Sequence, residues 1–568
     1  MGRHTERTKF FVEIIKPSHY DDDGYVIQWF RAFVASNSLG CVYALACDAQ
    51  SRQVLGENVE IVVNAYEECH TVIPTRKIIR RIRNHGGRGL VMLAGVQSNQ
   101  FPRAADLARE FRQAGIPVAV GGFHVSGCLA MLTQVPREIE AIQQMGVTLF
   151  AGEAEGRMDA LFQDACHGRM KPVYNYLRDL PSLAGRPTPF LPRDVSRGYV
   201  YFTPFDCGRG CPFHCSFCTI INVQGHASRF RGADDVERLV RAGAANGARR
   251  FFITDDNMAR NKNWEAIFDR LIALGEDEGI RLKLMIQVDA QAHKIPNFLE
   301  KAARAGCTRV FIGLESINAE NLRAANKPQN NVAQYRTMLQ AWRGHGVMTY
   351  GGYILGLPAD TPESIDRDIR TIQEELPIDL LEFMILIPLP GSADHKSLYE
   401  RGVPLDPDMN RYDGEHVVTA HGRMTPDQLR EAYDRAWHLY YSPQHVRTLL
   451  RRARASRVGV QCMEAAILGV YGSYRFERLH PLQGGLLRRM VRTTRRPGLP
   501  RENPLLFYPR RMAQSAIKYL SFAKYYLEVD RVRREVAGDP LGDAYTDLAL
   551  TPAGQPSPQG QHAMQPAA

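Results

Sequence analysis

Four of the eleven cysteines in this 568-residue chain lie in one short stretch, Cys207-Gly208-Arg209-Gly210-Cys211-Pro212-Phe213-His214-Cys215-Ser216-Phe217-Cys218. Three of them, Cys211, Cys215 and Cys218, have the spacing C-x3-C-x2-C, which lets one loop present three thiolates to a single metal centre. A structural zinc ion takes four protein ligands, so three cysteines without an evident fourth favour an iron–sulfur cluster that keeps one iron open. A zinc knuckle and a set of buried free thiols are the alternatives. Cys207 lies outside this spacing, and we expect it to be structural or to lie beside the site.

The composition is that of a globular protein, with 44% hydrophobic and 23% charged residues, and the length predicts two or three domains. The other cysteines are scattered, and their odd total argues against a disulfide framework and for a reducing compartment. Residues 1–7 are polar and no run of about 18 apolar residues occurs, so we expect neither a secretory signal nor a transmembrane helix. We therefore expect a cytoplasmic protein.

Residues 9–170 contain short apolar segments that alternate with helical ones. This alternation predicts a Rossmann-like domain built on an open parallel sheet. We also expect residues 25–47 to form an apolar helix. Ligands of such sheets bind at the carboxyl ends of the strands. The predicted strands of this domain are 9–16, 59–65, 89–94, 116–120 and 147–150.

The alternation of strands and helices resumes after a linker and predicts a barrel. Residues 171–198 are rich in proline and basic residues and lack periodicity, so we expect a linker. Between residues 199 and 400 a strand followed by a helix recurs, which predicts a partial (β/α)6 barrel with its chemistry at the C-terminal ends of the strands. The cysteine loop follows the first of these strands, where a barrel active site belongs. The predicted barrel strands are 199–204, 250–254, 282–288, 309–314, 349–355 and 380–387.

At its three-cysteine motif the sequence resembles the radical S-adenosylmethionine (radical SAM) enzymes. The resemblance implies that Cys211, Cys215 and Cys218 hold a [4Fe-4S] cluster whose fourth iron chelates S-adenosylmethionine. A reducing electron donor then allows the sulfonium to be cleaved to a 5'-deoxyadenosyl radical. Phe217 matches the position that packs near the adenine in this family. The same resemblance implies cofactor contacts from the turns and strand that contain Asp255, Asp256, Glu315, Ser316, Gly351 and Gly352.

Two of these expectations have plain alternatives. Asp255 and Asp256 stand where many relatives carry Gly-Gly-Glu, and a solvated turn that caps the next helix would explain them equally simply. Glu315 and Ser316 belong to a Gly-Leu-Glu-Ser turn, in which a carboxylate can accept hydrogen bonds from the ammonium or ribose of S-adenosylmethionine, and a structural role for the turn is the alternative.

The N-terminal domain resembles the cobalamin-binding domain that precedes the barrel in one radical SAM subclass. The resemblance rests on Gly121-Gly122-Phe123-His124 and on Gly152-Glu153-Ala154-Glu155-Gly156, each of which follows a predicted strand. Glycines at a strand end let the backbone approach a bulky ligand closely. No Asp-x-His-x-x-Gly run occurs here, so we expect His124 to lie near the corrin edge and not to ligate cobalt. A Rossmann-like domain without a cofactor is the alternative.

Residues 401–537 are predicted to be mainly helical, and residues 538–568 to form a disordered tail rich in proline, glycine, glutamine and alanine. In relatives the first part of this region folds over the barrel mouth, so we expect Tyr412, His416 and Tyr440 to contact the substrate. Residues 445–536 carry many basic and aromatic side chains, which is typical of contact with an anionic membrane or of an ordinary solvated helix. Nucleic-acid binding is disfavoured, because no compact RNA-binding motif is present.

The sequence therefore predicts an α/β fold with a Rossmann-like domain, a partial radical SAM barrel and a helical C-terminal region. The predicted function is cobalamin-dependent radical methyl transfer to an unactivated carbon of a small molecule, preferably a lipid or isoprenoid. No catalytic side chain is assigned. Ring closure, rearrangement or carbon–carbon coupling without methyl transfer is the alternative outcome of the same chemistry. A non-catalytic module that binds nucleic acid or membrane is the alternative from another class.

Overall fold

The computed structural model describes residues 7–456 and 458–552. It contains an N-terminal parallel sheet flanked by helices, a second sheet that curls into a partial barrel, and a helical C-terminal region. The predicted fold class is confirmed. The part of the predicted tail from residue 553 onward lies outside the described residues.

The N-terminal domain is an α/β unit whose elements alternate along the chain as predicted. Its strands and helices, together with one strand that joins the barrel, are β1 (Thr8–Lys16), β2 (Gln28–Val34), α1 (Asn37–Ser51), β3 (Val59–Glu67), α2 (Thr75–Asn84), β4 (Gly89–Leu93), α3 (Phe101–Gln113), β5 (Val118–Gly121), α4 (Phe123–Met131), α5 (Arg137–Gln144), β6 (Thr148–Ala151), α6 (Met158–Cys166) and β7 (Val173–Asn175).

The sheet of this domain is parallel throughout, in the order β3-β1-β4-β5-β6-β7. Helices cover both of its faces, so successive residues of a strand enter different cores. In β1, Phe11 and Ile15 belong to one core, and Phe10, Val12 and Ile14 belong to the other. This double burial explains why the strands read as nearly continuous apolar runs.

The barrel follows a short helix and begins at the predicted first strand. Its elements are α7 (Arg193–Ser196), β8 (Tyr199–Phe205), β9 (Gly208–Arg209), α8 (Ile220–Gln224), β10 (Arg229–Phe230), α9 (Ala233–Ala245), β11 (Arg250–Ile253), α10 (Trp264–Glu276), β12 (Lys283–Val288), α11 (Phe298–Arg304), β13 (Cys307–Glu315), α12 (Ala319–Ala324), α13 (Tyr335–Gly344), β14 (Met348–Leu355), α14 (Pro362–Glu375) and β15 (Leu380–Ile385).

The C-terminal region adds helices to the outside of the barrel. Its elements are α15 (Ala393–Glu400), α16 (Pro426–Tyr440), α17 (Pro443–Arg454), α18 (Val460–Gly472), a π-helical turn (Ser473–Glu477), β16 (Gly485–Arg489) and α19 (Pro504–Gly538). Side chains of α16, α17, α18 and α19 share one continuous core with the barrel strands. No helix in the described part of the chain has the length and apolar character needed to cross a membrane.

The second sheet contains eight strands in the order β15-β14-β13-β12-β11-β8-β2-β16. The six strands from β8 to β15 are parallel and form the predicted partial barrel. The sheet then continues past β8 with two more strands. β2 pairs with β8 in parallel, with Ala32 opposite Tyr199, and β16 pairs with β2 in antiparallel fashion. The N-terminal segment thus supplies a strand to the barrel sheet.

The predicted helix over residues 25–47 is wrong in its first half. Residues 28–34 form β2, in which Trp29 is buried and Phe30 is exposed, as expected for a strand with one covered face. The helix begins only after Ser36, whose hydroxyl accepts a hydrogen bond from the Leu39 backbone N–H at 3.2 Å. The strand's partners lie far along the chain, so tertiary pairing determines its conformation.

Two predicted boundaries also differ from the structure. The linker over residues 171–198 is not free of regular structure, because β7 adds an edge strand to the N-terminal sheet just after residue 170. The predicted tail begins too early, because residues 539–552 pack on the protein. Asp547 accepts a hydrogen bond from the buried Arg452 guanidinium at 2.7 Å, and Ala549 is fully buried.

Candidate functional site

The three-cysteine motif lies in a loop that leaves the C-terminal end of β8. The short strands β9 and β10 pair in antiparallel fashion and close the base of this loop. Cys211, Cys215 and Cys218 are all partly exposed, whereas Cys207 is fully buried in the barrel core. The structure therefore separates the motif cysteines from Cys207, which fits the expectation that Cys207 is structural.

The segment after β13 holds the cysteine loop in place. The Ser216 N–H donates to the Ala325 carbonyl at 3.1 Å, and the Asn326 amide donates to the His214 carbonyl at 2.8 Å. The side-chain amide of Gln329 donates to the Cys215 sulfur at 3.4 Å. A donor aimed at this sulfur stabilises a thiolate, which is the form that binds a metal.

Phe217 packs beside the cysteines against the C-terminal end of β14. Its neighbours in this small apolar cluster are Ala325, Ile354 and Leu357. The ring therefore lies on an apolar surface directly next to the motif. The expected contact with adenine stays a prediction.

Glu315 occupies an unusual backbone conformation at the end of β13. Its φ angle is 62°, although it is a nearly buried non-glycine residue. Its carboxylate pairs with the Lys327 ammonium, which also donates to the Gly313 carbonyl at 3.0 Å. Backbone strain of this kind persists where the surrounding structure needs a particular side chain in a particular place. Ser316 has a local role here, because its hydroxyl accepts from the Asn318 N–H at 3.0 Å.

The two aspartates after β11 have different surroundings. Asp255 is buried and accepts hydrogen bonds from the backbone N–H groups of Cys207 and Gly208 at 2.6 and 2.8 Å, so it fixes the start of the cysteine loop. Asp256 is exposed, and its charge is near enough to raise the pKa of Cys211 and Cys218 after the larger effect of burial. Of the pair, only Asp256 has a side chain free to meet a ligand.

The paired glycines of β14 are explained by packing on both sides of the sheet. A Cβ atom on Gly351 would lie 2.5 Å from the Ile378 side chain, and one on Gly352 would lie 2.9 Å from the Phe311 ring. The expected role of these glycines, an open backbone for a flat base, is therefore not needed to explain them.

A large cavity lies at the carboxyl ends of β4, β5 and β6 in the N-terminal domain. The space within it is about 960 Å³ when the open solvent at its mouth is counted. One wall is formed by the turns that contain Gly122 and Gly152, and by the start of α1. The opposite wall comes from the barrel, through Arg209, Val223 and Gln224 of the segment that carries the cysteine motif. The cavity thus lies between the two domains.

Gly121, Gly122, Gly152 and Glu153 all line this cavity, as expected for residues at the strand ends. Gly122 has a φ angle of 139°, and a Cβ atom there would lie 2.1 Å from the Val96 backbone nitrogen. Close backbone packing within the cavity wall therefore requires glycine at position 122, whether or not a ligand approaches it. No histidine is among the described residues that line the cavity.

Arg209 joins the cysteine loop to the N-terminal domain at the edge of this cavity. Its guanidinium donates to Glu153 and to Glu155, each at 2.7 Å, and to Asp206 at 3.0 Å. All four side chains are nearly buried. Burial raises the pKa of Asp206, but the charges of Arg209 and Arg231 outweigh this effect and hold the pKa below its usual range.

His124, which was expected near the edge of a bound corrin, does not line this cavity. It is fully buried in α4. Its Nδ1 lies 3.2 Å from the Ser98 hydroxyl, and its ring packs 4.3 Å from the centre of the Phe101 ring. The side chain of His124 points away from the cavity, toward Ser98 and Phe101, whereas Phe123 and Ser126 line the cavity.

The three predicted substrate contacts are not brought together. Tyr440 is buried in α16, packs on Phe383 outside the barrel and donates to the Ile378 carbonyl at 3.1 Å. Tyr412 is also buried, and its hydroxyl donates to the Asp406 carbonyl at 2.9 Å. These contacts give both tyrosines a structural role.

His416 lies in an ionic cluster. Its Nε2 is 3.2 Å from Asp22 and its Nδ1 is 2.8 Å from Asp413. Burial works against the charged imidazole, but the hydrogen bonds to these two carboxylates raise the pKa of His416 to about 10. The side chain is therefore an imidazolium at neutral pH, and it ties the start of the chain to the loop before α16.

Residues 206–372 match the family model described as the Radical SAM superfamily, a range that runs from the end of β8 into α14. The chain carries a radical SAM domain. The predicted recognition of this family is confirmed, and the matched range contains all three motif cysteines. The family implies a [4Fe-4S] cluster and S-adenosylmethionine. Three partly exposed thiols in one loop, with an amide donor aimed at Cys215, fit such a cluster.

Curated relatives extend the similarity beyond the radical SAM domain. The bacteriochlorophyllide d C-8(2)-methyltransferase of Chlorobaculum tepidum is 28% identical over 355 residues, which cover 59% of this chain and 74% of the relative. The hopanoid C-2 methylase of Rhodopseudomonas palustris is 24% identical over 393 residues, which cover 65% and 72%. Among solved structures, the cobalamin-dependent S-adenosylmethionine radical enzyme OxsB with aqua-cobalamin bound has a TM-score of 0.53 at 13% identity, covering 95% of this chain and 82% of that one. At this identity the last likeness shows the fold alone.

One polar group inside the barrel of the radical SAM domain was not predicted from the sequence. Glu382 is fully buried on β15, and the next residue, Phe383, packs on α16 outside the barrel, so Glu382 faces the interior. The Tyr350 hydroxyl donates to it, and His480 Nε2 lies 3.7 Å away. Burial raises the pKa of Glu382 to about 7. A glutamate in the otherwise apolar run Leu-Leu-Glu-Phe-Met-Ile was the available signal.

Proposed function

We propose that this chain is a cobalamin-dependent radical SAM methyltransferase that acts on an unactivated carbon of an apolar small molecule. The observation that carries the proposal is the position of the large cavity. Strand ends of the N-terminal domain form one side of it, and the segment that bears the cysteine motif forms the other. A ligand in this cavity would therefore face the metal-binding loop across a short gap.

The cavity fits cobalamin by its position and by its lining. It lies at the carboxyl ends of parallel strands, where ligands of such sheets bind, and it is open to solvent, so a ligand larger than the enclosed space can project from it. The lack of a histidine among the described lining residues agrees with cobalamin held without a protein ligand to cobalt. OxsB, which shares the fold, has aqua-cobalamin bound.

When bound, the cluster with S-adenosylmethionine supplies a radical that removes hydrogen from the substrate, and cobalamin supplies the methyl group. The residues of this chain position these groups. Cys211, Cys215 and Cys218 bind the cluster, and Glu315 is positioned by Lys327 at the barrel mouth to accept hydrogen bonds from S-adenosylmethionine. Glu382 orients the Tyr350 hydroxyl inside the barrel.

The test compares two products after anaerobic reconstitution with iron, sulfide and cobalamin. Methyl transfer is expected to form S-adenosylhomocysteine and 5'-deoxyadenosine in equal amounts, and to move label from methyl-labelled S-adenosylmethionine into the organic product. A hopanoid hydrocarbon and a bacteriochlorophyllide are the probes, because the names of two relatives point to these classes. Deoxyadenosine without S-adenosylhomocysteine would instead support ring closure or rearrangement. Protein that retains no corrin after gel filtration would contradict the cobalamin assignment.

We further propose that the enzyme works at a membrane surface, and that its substrate is correspondingly lipid-like. The observation is an unusual helix, α19, which is apolar on two opposite sides. Its inner side, including Phe507, Tyr525 and Val529, is buried against the protein. The outer face of α19 consists of eight exposed side chains, Leu505, Leu506, Tyr508, Met512, Ile517, Leu520, Tyr526 and Leu527. These residues span about 33 Å of helix, at roughly 1.5 Å per residue.

Charge favours an anionic lipid surface over a second copy of this chain as the partner. Residues 478–527 contain eleven lysines and arginines and a single acidic residue, Glu502, although seven of the basic side chains form ion pairs with Glu502 or with carboxylates elsewhere in the chain. Arg489, Arg501 and Lys524 are exposed and have no ion-pair partner among the described residues. Two copies packed through this face would bring like charges together, whereas an anionic bilayer offers both apolar depth and negative charge.

Sedimentation with vesicles tests this surface. We expect binding to phosphatidylglycerol vesicles and little binding to phosphatidylcholine vesicles. A variant with Leu505→Ser, Met512→Ser and Leu520→Ser should bind about 100-fold more weakly, because each side chain loses roughly 1 kcal/mol of apolar burial. Leu541→Ser is the matched control, since Leu541 is equally exposed but lies beyond the helix. Equal partitioning of both variants, or a concentration-dependent dimer lost in the triple variant, would contradict the membrane assignment.

A further inference from the structure

Three side chains of types that can bind a metal ion converge in the N-terminal domain, outside the cysteine motif. They are His124 and Cys128 on α4 and Glu138 on α5, and their ligand atoms all lie within 4.8 Å of one another. We propose that these three residues bind one zinc ion. Neither the family match nor the relatives assign a role to this site.

The backbone already arranges the ligands for a shared ion. His124 and Cys128 are four residues apart on one helix, so their side chains project from the same face one turn apart. Glu138 lies in the first turn of the neighbouring helix and faces them. The separation of His124 Nε2 from the Glu138 carboxylate is 3.8 Å, which is too long for a hydrogen bond and suits two ligands of one cation.

The imidazole of His124 supplies independent support. It is fully buried, and its Nε2 has no hydrogen-bond partner. Buried polar atoms are nearly always paired, so an unpaired nitrogen aimed at a thiol and a carboxylate indicates a missing partner. The other ring nitrogen lies 3.2 Å from the Ser98 hydroxyl, which fixes the ring orientation and leaves Nε2 as the ligand atom.

The donor types select zinc among the common ions. One nitrogen, one sulfur and one oxygen suit zinc, whereas magnesium and calcium need an all-oxygen set. Zinc is tetrahedral, so three protein ligands leave one position for water. Water can reach it, because the Glu138 side chain is 29% exposed.

The position of α4 suggests what the ion does. The N-terminal end of this helix forms part of the cavity wall through Phe123 and Ser126. Its middle lies against the barrel, because a Cβ atom on Gly127 would be 2.4 Å from the Pro390 carbonyl oxygen. A zinc ion that clamps α4 to α5 would therefore hold both the cavity wall and the contact between the two domains.

The test must separate this site from the cluster cysteines, which also bind zinc when iron is absent. The test uses the full chain with Cys211→Ser, Cys215→Ser and Cys218→Ser. This variant is loaded with zinc and desalted, and its metal content is measured by mass spectrometry. One zinc ion per chain is expected. Adding Cys128→Ala should remove it, and Cys166→Ala, a partly buried thiol elsewhere in the domain, should not.

Cobalt provides a second, spectroscopic readout, which reports the thiolate ligand directly and not the stability of the protein. Co²⁺ should give a thiolate charge-transfer band in the cluster-free variant, and Cys128→Ala should abolish this band. Glu138→Gln, at a partly exposed position that tolerates the change, should weaken zinc binding at least tenfold with the thermal transition of the zinc-free protein unchanged. Less than a tenth of a zinc ion per chain, or equal zinc with and without Cys128, would overturn the proposal. Neither result bears on the methyltransferase assignment, because the cluster is absent throughout.

Discussion

Replacement of Cys215 by alanine is expected to abolish cleavage of S-adenosylmethionine, with deoxyadenosine formation reduced at least about 1,000-fold. The reason is that only three thiolates of this loop are available to the cluster, so no spare ligand can replace the lost one. Cys207, the one other cysteine of the stretch, is fully buried in the barrel core and faces away from the site. The measurements are iron and sulfide per chain, and deoxyadenosine released under reducing, oxygen-free conditions.

Two cysteine variants serve as controls for this result. Cys462 is exposed on α18, so Cys462→Ala should leave iron content and deoxyadenosine formation unchanged. Cys207→Ala should lower the thermal stability while the iron content per folded chain is retained. Full deoxyadenosine formation by Cys215→Ala, or zinc in place of iron in the wild-type protein, would refute the assignment of the cluster.

Replacement of Arg209 by methionine is expected to weaken the contact between the two domains and to reduce corrin binding in the cavity between them. The variant leaves the buried carboxylate of Glu155 without an ion-pair partner, whereas Glu153 keeps Arg229 and Asp206 keeps Arg231. Removing one member of a buried ion pair costs about 3–5 kcal/mol, because the remaining charge cannot be hydrated. We expect a lower thermal transition and at least a tenfold loss of corrin after gel filtration.

An exposed arginine provides the matched control. Arg241 pairs with Glu278 at 2.5 Å on the surface, with side chains 40% and 44% exposed. Arg241→Met should therefore leave the thermal transition and corrin binding nearly unchanged. Wild-type corrin retention by Arg209→Met would mean that the network does not hold the cavity together.

The sequence predicted what depends on local pattern. The strand–helix alternation predicted every strand of the barrel within a few residues, because buried parallel strands are continuous apolar runs wherever they occur. The cysteine motif was equally predictable, since its three ligands lie in one loop. The correct placement of Gly122 and Gly152 at the cavity followed from their position at strand ends.

What the sequence could not show depends on residues that meet across long distances. Arg209 and Glu153 are ordinary charged residues until the two domains are in contact. His124 was expected near a bound corrin because the turn before it lies at a strand end. The direction of its side chain, however, is set by α4, which begins at Phe123. Tyr440 was expected at the substrate, whereas the packing of α16 on the barrel places it in the core.

The insertion of β2 between β8 and β16 has a consequence for how the protein is made. The chain starts in one sheet with β1, crosses to the other with β2 and returns with α1 and β3. During synthesis, the backbone groups of β2 have no strand to pair with until β8 has been made, and its second neighbour, β16, follows much later in the chain. The N-terminal sheet can therefore form before the barrel is made, but the barrel sheet is complete only when it takes up β2, and a gene cut between the two units would leave that sheet one strand short.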